Sequence, residues 1–246
     1  MGFSALIFST IGLNVYALIL VLIRAVLYKQ PVYRPMLWNI WLSVLPVFVL
    51  IFSALAAIIT VALTHDLGTT GKVVSAIVII CGVLAWLLLL PNSAYLITEL
   101  NLNHRVENDT TPLWYDIVSV LTLAMSGVVN MIANLFLVTL LFVALVFNDF
   151  SGLYTPLTAV FVGALIVLVS FGVYLGRYLR FNSWDIKHPL GMLRKAIAHF
   201  RQPGTAGNTV VFVLTHSVFF GLMYGCIAMP VLQLLDYSHS LLSQLR

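Results

Sequence analysis

Long apolar runs without a charged residue are the feature that most restricts the fold of this chain. Residues 35–64 and 117–148, for example, contain no Asp, Glu, Lys or Arg. A helix needs about 20 such residues to cross a hydrocarbon core about 30 Å thick. Because the chain is also 61% apolar and only 8% charged, with a mean hydropathy of +1.06, a soluble globular fold is excluded.

The apolar runs predict helices, because backbone groups in lipid must find partners within their own segment. The alternation of apolar and polar residues typical of a β-barrel is weak here. We therefore expect an all-α, polytopic transmembrane helical bundle of about six spans, forming a single integral membrane domain over residues 1–246. The predicted spans lie near residues 3–27, 36–63, 73–99, 113–147, 157–179 and 208–235.

Basic residues fall mainly on one side of these spans. With six crossings, one side receives ten of the twelve Lys and Arg residues: Arg24, Lys29, Arg34, Arg105, Arg177, Arg180, Lys187, Arg194, Lys195 and Arg201. The other side receives only Lys72 and Arg246. Since Lys and Arg collect in cytoplasmic loops, loops 28–35, 100–112 and 180–207 are predicted to be cytoplasmic and both termini extracytoplasmic.

The fourth apolar segment is longer than one crossing requires, because residues 113–147 would form about 52 Å of helix at about 1.5 Å per residue. Two full crossings would place the basic residues after the fifth span outside, against the charge bias. We therefore predict a half-helix, a bend at Ser126 and Gly127, and one crossing over residues 128–147. Asn130 and Asn134 are predicted to hydrogen-bond neighbouring helices.

The last cytoplasmic loop has the pattern of an interfacial amphipathic helix. Its apolar residues recur at steps of three, four and three, and basic residues lie between them. The apolar residues are Leu190, Leu193, Ile197 and Phe200, and the basic ones are Arg194, Lys195, His199 and Arg201. Such a helix lies in the membrane interface with its basic side toward anionic headgroups.

Three polar motifs fall on the predicted cytoplasmic side: LPNSAYLITEL at residues 90–100, PLWYD at 112–116 and GRYLRFNSWD at 176–185. In the first motif, Asn92, Tyr95 and Glu99 have i, i+3, i+7 spacing and share one face of an α-helix. We expect Glu99 and the Asp residues of the other motifs to pair with Arg177 or Arg180, because a lone charge at membrane depth is costly.

Two interpretations of this polar cluster stay open. In one, the arginines and aromatic side chains form a pocket for a small anionic or zwitterionic ligand or a lipid headgroup. In the other, an ion-pair network clamps the helix ends together. The candidate residues are Asn92, Tyr95, Glu99, His104, Trp114, Tyr115, Asp116, Arg177, Arg180, Asn182, Trp184 and Asp185.

Metal and cofactor chemistry are not predicted, since the chain has no H-E-x-x-H motif and no paired cysteines at ligand spacing. Cys81 and Cys226 lie within apolar runs and are predicted to be buried thiols. Nucleic-acid binding is not expected, because no basic face with interleaved aromatic residues is present. The expected partners are the lipid bilayer and an anionic lipid or small polar ligand; the oligomeric state stays open.

Three functions therefore fit the sequence. The first is a transport or ligand-binding role for the polar cluster. The second is a membrane enzyme that acts on a lipid-linked substrate at the cytoplasmic face, with a carboxylate as base and His104 as its partner, although no nucleophile motif accompanies them. The third is a non-catalytic membrane assembly subunit in which the polar cluster is structural.

The three polar motifs, in this order, resemble a bacterial integral-membrane family catalogued as domain of unknown function 1361. The resemblance covers most of the chain after the second span. Glu99 stands where that family more often has Asp, so the carboxylate is kept. The resemblance implies a polytopic protein of a bacterial cytoplasmic membrane, and it brings no known activity, ligand or catalytic residue with it.

Overall fold

The structure, a computed structural model, describes residues 2–64, 67–101, 110–147, 150–179 and 189–244. This part of the chain is helical and contains no strand. The α-helices are α1 (Gly2–Leu27), α2 (Arg34–Thr64), α3 (Gly68–Ala94), α4 (Leu113–Val146), α5 (Pro156–Tyr178), α6 (Pro189–Phe200) and α7 (Thr205–Gln244). Short 3-10 helices follow α3 at Tyr95–Asn101 and precede α5 at Phe150–Tyr154.

Six helical segments within these ranges are long and apolar enough to cross a membrane, which confirms the prediction of a polytopic all-α fold. They are Ser4–Leu27, Arg34–Thr64, Gly68–Leu100, Leu113–Val146, Pro156–Tyr178 and Thr205–Ser238. Several extend a few residues beyond the predicted bounds, because helical hydrogen bonding continues past the apolar run.

The prediction of buried thiols is wrong. Cys81 in α3 and Cys226 in α7 are both free and exposed. An apolar run alone does not say which face of a helix packs against protein. On a helix that crosses a membrane, an exposed apolar face contacts lipid, and a small thiol is at no disadvantage there.

The fourth segment is not divided at Ser126 and Gly127 as predicted, because α4 runs as one uninterrupted α-helix of 34 residues. Gly127 has a packing role instead. A Cβ atom added there would lie 2.8 Å from Cβ of Leu96 and 2.9 Å from the carbonyl oxygen of Ser93, so a larger residue has no room. The neighbouring Ser126 donates a hydrogen bond to the carbonyl of Leu123 in its own helix. Close approach of the end of α3 and of the 3-10 helix that follows it therefore explains this glycine.

The chain divides into two compact units, residues 3–138 and residues 139–246, with the boundary inside α4. Unit 1 contains α1, α2, α3 and most of α4. Its buried apolar cluster includes Ala17 and Val21 of α1 together with Leu123 of α4. The single domain predicted over the whole chain stays a prediction, and each unit is described by itself.

Unit 2 contains the end of α4 together with α5, α6 and α7. Thr155 caps the N-terminus of α5, since its side chain accepts a hydrogen bond from the backbone N–H of Thr158. The predicted amphipathic helix is confirmed as α6. Its residue His199 has Nε2 2.8 Å from the hydroxyl oxygen of Tyr174 in α5, which attaches α6 to the rest of unit 2.

Candidate functional site

A buried ion pair joins α1 to α4 in unit 1. Arg24 lies in the last turn of α1 and Asp116 in the first turn of α4. The Arg24 Nε atom donates to Asp116 Oδ1 at 2.8 Å, and the two side chains are 11% and 0% exposed. Both charges also suit their helix ends, since the partial charge is negative at a C-terminus and positive at an N-terminus. We call this end of unit 1, at the C-terminus of α1 and the N-terminus of α4, the loop end.

Aromatic residues surround the ion pair at the loop end. The Tyr115 hydroxyl donates to the carbonyl oxygen of Leu20 at 2.8 Å, which ties α4 to α1 a second time. The ring of Tyr28 meets that of Tyr115 edge to face, with centroids 5.1 Å apart. Trp114 is exposed, and its ring lies 5.7 Å from that of Tyr115. Such rings suit a membrane interface, where one side is apolar and the other polar.

The polar end of the third span differs from its prediction. The α-helix ends just before Tyr95, and residues 95–101 form a 3-10 helix with three residues per turn. The α-helical face predicted to include Asn92, Tyr95 and Glu99 therefore does not continue to Glu99. The Glu99 Oε1 atom instead accepts a hydrogen bond from Asn39 Nδ2 of α2 at 3.0 Å. All three predicted residues are half-buried.

Amide side chains form a second polar group deeper in unit 1. Asn14 of α1 and Asn130 of α4 exchange two hydrogen bonds of 2.7 and 2.9 Å. Asn130 also donates to the hydroxyl of Ser43 in α2 at 2.9 Å, and Ser43 donates to the carbonyl of Ser93 in α3 at 2.7 Å. One connected network thus links all four helices of unit 1, as expected for polar groups inside an apolar bundle.

Asn134 extends this network along α4. It accepts a hydrogen bond from the indole N–H of Trp86 in α3 at 3.0 Å and donates to the carbonyl of Asn130 at 2.9 Å. The prediction that Asn130 and Asn134 bond to neighbouring helices is therefore confirmed. Because both side chains are buried and bonded, α4 carries a polar stripe that faces protein.

The predicted site residues fall into three groups. Asn92, Tyr95, Glu99, Trp114, Tyr115 and Asp116 belong to unit 1, and Arg177 lies at the end of α5 in unit 2. His104, Arg180, Asn182, Trp184 and Asp185 lie outside the described residues. The structure pairs Asp116 with Arg24, which is predicted from the sequence only to lie on the cytoplasmic side. The predicted partnership with Arg177 or Arg180, and a ligand-binding role for the whole set, stay predictions.

Sequence reasoning missed five residues that hold the polar groups of unit 1 together: Asn14, Arg24, Asn39, Ser43 and Trp86. Each stands within an otherwise apolar helix, where an unpaired polar group would cost several kcal/mol (on the order of 2–7). A polar residue in an apolar helix therefore indicates a hydrogen-bond partner on another helix, and this signal is present in the sequence. Among the residues that the structure describes, no three His, Cys, Asp or Glu side chains lie close enough together to hold a metal ion.

Comparison with known proteins places the chain in a family. No curated protein and no solved structure matches the chain significantly. A family model described as "Protein of unknown function (DUF1361)" matches residues 38–223, more than two thirds of the chain, and includes all three polar motifs. This match confirms the resemblance noted in the sequence, and the chain belongs to the DUF1361 family.

Proposed function

We propose that the protein resides in a bacterial cytoplasmic membrane, with the loop end of unit 1 in the cytoplasm and both termini outside. The support is the concentration of Lys and Arg on one side of the six spans. Labelling tests this orientation in cells that carry Cys81→Ser and Cys226→Ser. An impermeant maleimide should label Lys72→Cys in intact cells and Lys29→Cys only after permeabilisation, and the reverse pattern would contradict it.

We propose further that the loop end of unit 1 binds a small anionic or zwitterionic ligand or a lipid headgroup, in a ligand-binding or transport role. The observation that carries this proposal is the backbone of Lys29, whose φ is +52°. Lys29 follows the C-terminus of α1 at a position where glycine is the usual residue. A left-handed conformation costs a residue with a side chain about 1–2 kcal/mol. Strain of this kind concentrates at functional sites.

The charges at the loop end suit such a ligand. Arg24 is neutralised by Asp116, whereas Lys29, on the connection between α1 and α2, and Arg34, the first residue of α2, are exposed cations. Their ammonium and guanidinium groups can hold a phosphate or carboxylate. Glu99 is only half-buried, so its carboxylate can face the cationic part of a zwitterion.

A second contact with anionic lipid is proposed for α6. Its apolar residues Leu190, Leu193 and Ile197 are exposed. Arg194 and Lys195 lie between them in sequence. An exposed apolar face beside basic residues favours a position in the interface of an anionic leaflet.

Thermal unfolding of the purified protein tests the headgroup proposal, because a ligand that binds only the folded state raises the unfolding temperature. Short-chain phosphatidylglycerol and phosphatidylcholine, and inorganic phosphate, serve as probes. At least one lipid should stabilise the wild type, and the Lys29→Gln/Arg34→Gln variant should lose that shift. The matched control is Lys72→Gln, which removes an exposed cation far from the loop end in sequence and should keep it. Equal shifts in all three proteins would contradict the proposal.

The second candidate is a non-catalytic assembly subunit. It is favoured by the way the polar groups of unit 1 satisfy one another, with Asp116 held by Arg24 and Glu99 by Asn39. Ion pairs and hydrogen bonds of this kind hold helices together and need no ligand. This candidate predicts no shift with any of the three probes, together with severe destabilisation when the ion pair is broken.

A further inference from the structure

A cleft of about 450 Å³ opens between α1, α2 and α4 within unit 1. Its walls are almost wholly apolar. Ile7 and Ile11 of α1 and Phe48 and Ile51 of α2 line it and are exposed, whereas Phe136 of α4 lines it and is buried. The cleft therefore has its floor on α4 and opens outward between α1 and α2. Its volume lies within the range of about 300–1,000 Å³ found for ligand pockets.

The polar side chains that line the cleft have all their N–H and O–H groups engaged within the protein. Thr10 donates to the carbonyl of Leu6. The two N–H groups of Asn14 bond to the Thr10 carbonyl and to Asn130 Oδ1. The two N–H groups of Asn130 bond to Asn14 Oδ1 and to the Ser43 hydroxyl. Since a neutral amide has only two N–H donors, these side chains offer none to a polar ligand.

The cleft lies in the hydrocarbon region of the span. Asn14 is ten residues from the first residue of the span Ser4–Leu27, or about 15 Å at the helical rise, which is half of a core about 30 Å thick. From Asn14 the cleft continues along α1 to Leu6, away from Arg24. It therefore occupies the half of the membrane opposite the loop end, and it is independent of the headgroup site proposed above.

Three fillings of such a cleft are conceivable: water, empty space and hydrocarbon. Water needs about two to four polar partners, and the walls of this cleft are almost wholly apolar. Empty space forfeits the dispersion contacts of every lining atom. We propose that the cleft holds one hydrocarbon chain of a membrane lipid. At roughly 30 Å³ per methylene group, which is close to the size of a water molecule, its volume accommodates roughly fifteen methylenes, the scale of a single acyl chain.

The test uses the full-length protein in phosphatidylcholine vesicles that contain a phosphatidylcholine with a photoreactive diazirine on one acyl chain. After irradiation, mass spectrometry of peptides locates the adducts. Residues 6–15 and 44–51 should carry several-fold more label than the exposed face of α3 around Leu88. Filling the floor with Ala133→Phe should remove that excess. The matched control Ala144→Phe, on an exposed position of the same helix, should leave it unchanged.

Val47→Phe narrows the cleft from α2 and provides a second variant, so the result does not depend on the folding of one protein. Equal labelling of the cleft and of α3 overturns the proposal. Persistence of the excess in both filled variants overturns it as well. An unlabelled cleft in a protein of dimeric mass also overturns it, because a second copy of the chain would then cover the opening. If the loop end binds no headgroup, the outcomes expected for the cleft stay the same.

Discussion

Breaking the ion pair between Arg24 and Asp116 should destabilise the protein more than any other single polar substitution at the loop end. The two charged atoms are 2.8 Å apart, which corresponds to a gross attraction of about 6 kcal/mol at an effective dielectric constant of about 20. The desolvation of both groups offsets part of this attraction. Removing one partner leaves the other charge buried, and the expected loss of unfolding free energy is therefore about 3–5 kcal/mol.

The variants are Asp116→Asn, Arg24→Met and the double variant Arg24→Met/Asp116→Leu. Each single variant should lose about 3–5 kcal/mol, whereas the double variant should recover most of that loss, because apolar replacement of a whole buried pair is often neutral or stabilising. Unfolding in mixed detergent micelles, extrapolated linearly to zero denaturing detergent, measures these free energies. Arg34→Met removes an exposed cation from the same end and should change stability by less than about 0.5 kcal/mol.

Two results would refute this reasoning. The first is an unfolding free energy of Asp116→Asn within about 0.5 kcal/mol of the wild-type value, because Arg24 would then not be left as a costly buried charge. If the double variant loses the sum of the two single losses, the side chains act independently and no pair joins α1 to α4.

Three further predictions concern unit 1, and the same unfolding assay measures each. Asn14→Leu and Asn130→Leu should show a coupling of about 1–2 kcal/mol in a double-mutant cycle, since two interhelical hydrogen bonds join them, and additive effects would contradict this pairing. Gly127→Ala should lower the unfolding free energy by about 1–3 kcal/mol through overpacking. The control Gly163→Ala adds a Cβ with no atom within 4 Å and should lower it much less. Equal losses in the two variants would disprove the packing role of Gly127. Lys29→Gly should raise the unfolding free energy by about 0.5–1 kcal/mol, because glycine adopts a positive φ without strain. It should also weaken the lipid-induced thermal shift. A lower unfolding free energy than that of the wild type would contradict the proposed strain at Lys29.

The six spans were predictable because a membrane span is defined by consecutive residues. The thickness of the hydrocarbon core sets a minimum length for an apolar run, and the charge-free runs of this chain reach that length. The amphipathic helix α6 was predictable for a similar reason, since its apolar residues repeat with the helical period over residues 190–200. Asn130 and Asn134 were assigned correctly to interhelical bonding, because an amide in an apolar helix needs a partner.

The partners of the charged residues could not be read in the same way. Arg24 and Asp116 are 92 residues apart in sequence, and their meeting depends on how α1 and α4 pack. The change from α-helix to 3-10 helix at Tyr95 alters the pitch, so helical spacing from Asn92 no longer predicts where Glu99 points. The sequence predicts a bend at Gly127 because sequence alone does not distinguish a flexible glycine from one required by a close neighbour.

The most direct test of a headgroup site at the loop end is native mass spectrometry of the protein purified in mild detergent. The wild type should retain at least one more anionic or zwitterionic phospholipid than the Lys29→Gln/Arg34→Gln variant, which should keep the stability of the wild type. Equal numbers of retained phospholipids in the two proteins would contradict the proposed site.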